Sequence, residues 1–323
     1  MADSSPPPFP LPIATEVAPA DLTDSTLLVA APEPQIKPGS VELTEHPDVP
    51  YRSVALPDGT RRELKLDVLR PAAPGRLPLV VYVPGGAFLF ANRTNALGPR
   101  AYLAESGFVV ASVEYRTVPE GGTYTMSAED VRAAVAHLRE HADAYGIDPR
   151  AVGVWGESAG GYVAAMTGLA PEGESGPQGR VQAVVDSFGA SDLSALAADF
   201  DARARAFYEE QVTHFSAFLG RPGHLLKDIP DAVRAADPVT YATAGAPPFL
   251  LLHGSADFLI SPSQTQRLHR ALRAAGADST RYVLNGANHG DISFLGDPES
   301  GRPWTTTTTL DLITGFFRER LGS

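Results

Sequence analysis

The chain has no cysteine among its 323 residues. Disulfides, thiolate metal sites and cysteine nucleophiles are therefore excluded. It also lacks any apolar run approaching the roughly 18–20 residues a membrane helix needs. The opening residues, MADSSPPPFPLP, carry no basic stretch followed by an apolar one, unlike a secretory leader. A cytoplasmic protein is the resulting expectation. Positive charge is scarce: 26 Lys and Arg stand against 38 Asp and Glu, for a formal net charge of −12. No basic stripe is visible, so nucleic acid is not expected as a partner. Anionic membrane surfaces are unattractive for the same reason.

What is present fits one globular enzyme-sized unit. Apolar residues make up 43% and charged residues 20%, the balance of a soluble domain able to bury a core. Eleven of the first 50 residues are proline, and eight are acidic against the single Lys37. Proline fixes φ and removes a backbone donor, so residues 1–50 read as an arm, either disordered or strapped over the body. Leu27, Leu28 and Val29 could anchor such a strap. The body is expected over residues 51–323, with an insertion near 190–240.

Residues 51–56 and 62–69 flank the turn at Pro57, Asp58 and Gly59 and read as a hairpin. Residues 77–83 (LPLVVYV) and 107–115 (GFVVASVEY) are almost continuously apolar, as strands covered on both faces are. Val131, Val135 and Leu138 recur at helical spacing across residues 128–145, and Gly146 ends that segment. A short buried strand over 151–155 gives way to a helix over 158–169, and a strand over 181–188 follows. Residues 190–240 break the alternation and look mainly helical. Their aromatics (Phe200, Phe207, Tyr208, Phe215 and Phe218) have the spacing of a helix's core face and could equally line a pocket. Alternation resumes with a strand over 248–253, a helix over 263–275, a strand over 280–284 and a closing helix near 310–321. This order implies an α/β fold: a mostly parallel central sheet with helices on both faces and a helical cap insertion.

Gly156, Glu157, Ser158, Ala159 and Gly160 form a G-x-S-x-G pentapeptide. A buried strand ends directly before it and a helix starts directly after it, the setting a nucleophile elbow requires. The flanking glycines leave room for a strained turn. The helix aims its N-terminal amides at the serine. A serine hydroxyl needs a base to take its proton. His289 lies in a small-residue loop after the last strand and is the candidate. The base needs an acid to fix its tautomer. Asp257 lies beyond a buried strand, 32 residues before His289, and Asp192 is the alternative. The order Ser, Asp, His is the one nucleophile-elbow enzymes use. Donors for a developing oxyanion are expected from Gly85 and Gly86, after the first buried strand, and from Ala159. Phe88, Glu157, Tyr162, Phe207 and Phe215 are the substrate-contact candidates.

Several segments together carry a family resemblance. They are VPGGAF (83–88), VEYRTVPE (113–120), WGESAGGYVAAM (155–166), VVDSFGASDL (184–193), PPFLLLHGSADFLI (247–260) and NGANHGD (285–291). Over residues 50–320 the chain resembles α/β-hydrolase esterases of the hormone-sensitive-lipase and feruloyl-esterase-like (BD-FAE-like) branch. The resemblance implies a triad on Ser158, Asp257 and His289. It also implies hydrolysis of carboxylic esters, with a small-molecule ester or acyl compound as substrate and no metal or organic cofactor, often in a pocket roofed by an N-terminal or inserted cap. Pro84 stands where that family usually has histidine, which would stiffen the oxyanion loop and delete a hydrogen bond behind it. Acyl transfer, cyclisation or peptide hydrolysis would use the same residues. A non-catalytic protein of the same fold is the alternative of another class. The oligomeric state is left open, a homodimer among the options.

Overall fold

The computed structural model describes residues 13–29, 34–211, 213–290 and 301–322. The first twelve residues of the arm, and Asp291 of NGANHGD, lie outside the described residues. Among the described residues nine strands form one sheet, in the order β1-β9-β8-β7-β6-β4-β5-β3-β2. They are β1 (Thr26–Leu28), β2 (Leu43–Ala55), β3 (Arg61–Pro71), β4 (Leu77–Val83), β5 (Val109–Val113), β6 (Ile147–Glu157), β7 (Ala183–Ser187), β8 (Phe249–Gly254) and β9 (Ser279–Leu284). Only β2 with β3, and β3 with β5, pair antiparallel; all other neighbours are parallel.

The inner strands β4, β5, β7 and β8 are buried on both faces because helices cover both. Along β4, Leu79, Val81 and Val83 join one core and Val80 and Tyr82 the other, as the two-residue period requires. The first core is closed by α2 (Tyr124–Glu140), α4 (Ala159–Leu169) and α8 (Ser263–Ala274). The second is closed by α1 (Leu97–Glu105) and α9 (Thr307–Leu321), whose Phe317 is fully buried. A short α3 (Ala142–Tyr145) follows α2. The insertion folds as short helices α5 (Ala202–Glu210), α6 (His214–Phe218) and α7 (Pro230–Ala236).

The proline-rich arm is more regular than its composition suggests. β1 adds to β9, with Leu27 and Leu28 opposite Val283 and Leu284. β2 runs through residue 50, so the boundary drawn there from proline content falls inside a strand. Pro47 and Pro50 are tolerated because β2 is an edge strand, and its register shifts between His46 and Val49 and again between Pro50 and Arg52. Edge positions and bulges are where a sheet can lose a donor. Further back, the Ala14 amide bonds the Phe258 carbonyl at 3.0 Å and the Ala18 amide the Asp199 carbonyl at 2.7 Å.

Candidate active site

The elbow forms where β6 ends. Ser158 has φ 56° and ψ −122°, a conformation costly for any residue with a side chain. Its neighbours must be small. A Cβ on Gly156 would stand 2.0 Å from the Gly160 carbonyl oxygen, and one on Gly160 would stand 2.0 Å from that of Val83. The two glycines thus let the start of α4 press against both the elbow and the end of β4. Ala159, first residue of α4, has no carbonyl one turn earlier to take its amide hydrogen.

His289 is carried by the loop after β9, and Asp257 by the loop after β8. Gly254 lets the first loop lie on the second, since a Cβ there would stand 2.3 Å from the Ala287 carbonyl oxygen. His289 Nε2 is 2.7 Å from Ser158 Oγ, and His289 Nδ1 is 2.7 Å from Asp257 Oδ2. Asp257 is fully buried, and its Oδ1 accepts the amides of Leu259 and Ile260, each at 2.9 Å. Burial alone would push its carboxyl up. The charge of His289 and the hydrogen bonds from His253 and His289 outweigh that and hold it well below the usual carboxylate range. Asp192, the alternative acid, lies elsewhere and pairs with Arg267 at 3.1 Å.

The loop expected to hold the oxyanion follows β4. A Cβ on Gly85 would be 2.9 Å from the Glu157 carbonyl oxygen and 3.2 Å from Ser158 Cβ, so Gly85 lies directly against the elbow. Gly86, at φ 152°, leaves no room for a side chain beside the Phe90 carbonyl. Ala87 and Phe88 then take left-handed φ values of 52° and 62°. Pro84 has its own anchor: the buried Tyr115 hydroxyl donates to the Pro84 carbonyl at 2.9 Å. The phenol from VEYRTVPE thus holds the loop that carries proline in place of histidine.

Above Ser158 lies a cavity of about 410 Å³. Phe88, Glu157 and Phe215, three of the five substrate-contact candidates, contribute to its wall. The other two do not. Tyr162 is fully buried, donates its hydroxyl to the Ala236 carbonyl, and props Phe88 edge-on at 5.3 Å. Phe207 packs edge-on against Tyr208 at 5.7 Å, outside the cavity. On α5 it is half-buried and packs against the first core. Wall residues not anticipated include Tyr82, Phe188, Leu259, Ile260 and Trp304. Phe188 packs edge-on against His289 at 4.7 Å and against Trp304 at 4.5 Å. Position directly after a buried strand was the one available signal for Phe188. The Tyr82 hydroxyl donates to Glu157 Oε2 at 2.8 Å, and burial together with the Glu157 charge raises that phenol well above its ordinary value. Among the described residues no His, Asp and Glu cluster could hold a metal ion.

This sheet, with the serine, histidine and aspartate meeting at the carboxyl ends of β6, β9 and β8, defines an α/β-hydrolase fold. The BD-FAE family profile matches residues 66–272, and the chain belongs to that family. It is 32% identical over 257 residues to esterase LipQ of Mycobacterium tuberculosis (strain ATCC 25618 / H37Rv), covering 75% of this chain and 56% of that protein. It is 30% identical over 261 residues to the isoprenylcysteine alpha-carbonyl methylesterase ICME of Arabidopsis thaliana, covering 77% and 58%. The chain spans about half to two thirds of the length of the curated relatives it matches. A truncated carbohydrate esterase from gut microbiota shares the fold, with a TM-score of 0.70 at 24% identity over 90% of this chain and all of that one. No helix among the described residues is long and apolar enough to cross a membrane.

Proposed function

We propose that the protein hydrolyses small carboxylic esters through an acyl-enzyme on Ser158, with His289 as general base and acid and Asp257 orienting His289. The observation that carries this reading is the continuous line from Ser158 Oγ to His289 Nε2, and from His289 Nδ1 to Asp257 Oδ2, with both distances 2.7 Å. Ser158 Oγ attacks the acyl carbon as His289 Nε2 takes its proton. The carbonyl oxygen becomes an oxyanion, held by amides of the 85–86 turn and of Ala159. His289 returns the proton to the leaving alkoxide. A water molecule, deprotonated by His289 in turn, then releases the acid and restores the serine. The family membership and the esterase relatives support ester cleavage as the reaction. The apolar wall of Phe88, Phe188, Phe215 and Trp304 suits an uncharged acyl or alcohol group, and the insertion near 190–240 acts as the cap that supplies Phe215.

Ser158→Ala is expected to lower turnover of a short p-nitrophenyl ester by roughly 10⁴-fold or more. It is also expected to abolish labelling by a fluorophosphonate probe. Full turnover in the alanine variant would refute the assignment. Labelling of another residue in the wild type would do the same.

A further inference from the structure

Asp257 has a second histidine. His253, on β8, is fully buried, with Nε2 3.2 Å from Asp257 Oδ2 and 3.1 Å from the Ile260 carbonyl oxygen. Its Nδ1 lies 3.0 Å from Thr265 Oγ1 on α8. In the neutral imidazole the partners fix the direction of every bond. A carboxylate and a carbonyl only accept, so Nε2 carries the hydrogen and Nδ1 must accept. Thr265 Oγ1 is in turn 3.0 Å from Arg281 Nε, which can only donate. The threonine hydroxyl therefore accepts from Arg281 and gives its one proton to His253 Nδ1.

Arg281 is itself 1% exposed, so its other donors also need partners inside the protein. Nη2 bonds the Pro262 carbonyl at 2.8 Å. Nη1 reaches Ser25 Oγ at 2.8 Å and the Asp21 carbonyl at 3.3 Å, both on the arm. A chain of donors thus runs from the arm through Arg281, Thr265 and His253 to Asp257.

We propose that His253 is a positioning residue for the catalytic acid and that Thr265 and Arg281 set its tautomer. This rests on the reading that Asp257 orients His289. A carboxylate offers about four lone-pair sites. At Asp257 two backbone amides take Oδ1, and the two imidazoles share Oδ2. The amides alone fix one oxygen. His253 fixes the other, on the side that His289 must meet. In the opposite tautomer Nε2 would turn a lone pair toward the carboxylate, and Asp257 would be pushed from His289. With the hydroxyl donor on Nδ1 that tautomer has no place.

The test uses the full chain and a short p-nitrophenyl ester. His253→Ala is expected to lower kcat about 10- to 100-fold with KM changed by less than about twofold, the scale of losing an outer hydrogen-bond partner. With one donor gone from Oδ2, the carboxylate holds the His289 imidazolium more tightly. The acid limb of kcat/KM is then expected to move up by about half a unit. His253→Gln, whose amide can offer an N–H near the same point, restores most of kcat and returns the limb. Thr265→Val keeps the shape but removes the hydroxyl, and it lowers kcat and moves the limb in the same sense. Should His253→Ala not fold, Thr265→Val decides. Wild-type kcat and an unmoved limb in a folded His253→Ala or in Thr265→Val overturn the proposal. So does an equal loss in His253→Gln and Thr265→Val with no movement of the limb, which a packing defect would give. Fluorophosphonate labelling of Ser158 separates the two levels: an unlabelled wild type removes the triad reading itself, whereas unchanged His253→Ala and Thr265→Val on a labelled enzyme remove only this one.

Discussion

At the scale of single residues, the candidate site stores strain at the proposed nucleophile. Ser158 sits at φ 56° because only a sharp turn lifts its hydroxyl out of the end of β6 toward His289. Conformations of this kind cost about 1–3 kcal/mol for a residue with a Cβ. Glycine adopts them freely but gives up about 0.5–1 kcal/mol through the unfolded chain. Ser158→Gly is therefore expected to be inactive yet more stable than Ser158→Ala, by about 1 kcal/mol in denaturant unfolding. An alanine variant at least as stable as the glycine one would mean the turn is unstrained. Asp257 illustrates the opposite economy, since all its acceptor sites meet donors. Asp257→Asn would keep the shape but replace one acceptor with a donor facing His289, and turnover should fall about 10⁴-fold through the wrong tautomer.

These residues were legible in the sequence for a local reason. Ser158 follows β6 directly, Asp257 and His289 lie three and five residues past the ends of β8 and β9, and the pentapeptide marks its own turn. Thr265, Arg281 and His253 carry no such mark. They meet only because β9 lies beside β8 with Arg281 opposite Leu251, while α8 packs over both. That register is a property of the assembled sheet. The cavity wall was hidden for the same reason: Phe188 and Leu259 come from the loops after β7 and β8 and Trp304 from a short 3-10 turn before α9, and no local pattern connects them.

At the scale of elements, the strands over 77–83, 151–155 and 248–253 were readable because burial on both faces leaves a continuous apolar run. β1 and the first half of β2 were not, because proline outweighs their short apolar pattern. Edge position and bulging reverse that judgement. The contact between α4 and β4 makes a sharper claim. A methyl at residue 160 would meet the backbone oxygen of Val83 at 2.0 Å and that of Pro84 at 2.7 Å, and neither can move without shifting a strand end. Gly160→Ala is expected to cost roughly 1–3 kcal/mol or more. It should also lower turnover at least tenfold, by drawing the oxyanion loop away from the elbow. Alanine tolerated without loss of either quantity would show that α4 can retreat freely.

At the scale of the whole molecule, the pH dependence of stability follows from buried carboxyls that pull in opposite directions. Asp257, held low, stabilises the fold above the unfolded carboxylate pKa, and this is lost only as pH falls through its lower folded value. Asp186, at the end of β7, is pushed by burial from 3.8 up to about 7, and Asp237 shifts to about 7 chiefly by burial as well. Between those limits the native state binds the proton that the unfolded chain has released. Stability should therefore fall as pH rises from about 4 to about 7 and level off beyond. Each pKa unit is worth about 1.4 kcal/mol, so the full shift at Asp186 amounts to about 4 kcal/mol. The cost has a use. Asp186 Oδ1 accepts the Gly189 amide at 2.9 Å, which closes the turn that sets Phe188, at φ 47°, against His289. Oδ2 has no partner among the described residues, so only one oxygen serves the turn. Asparagine can keep that acceptor and carries no charge to bury. Asp186→Asn is thus expected to retain turnover within a few-fold and to lose much less stability than wild type between pH 4 and 8. Unfolding curves for the two proteins that run parallel across that range would mean Asp186 is not the group whose ionisation weakens the fold.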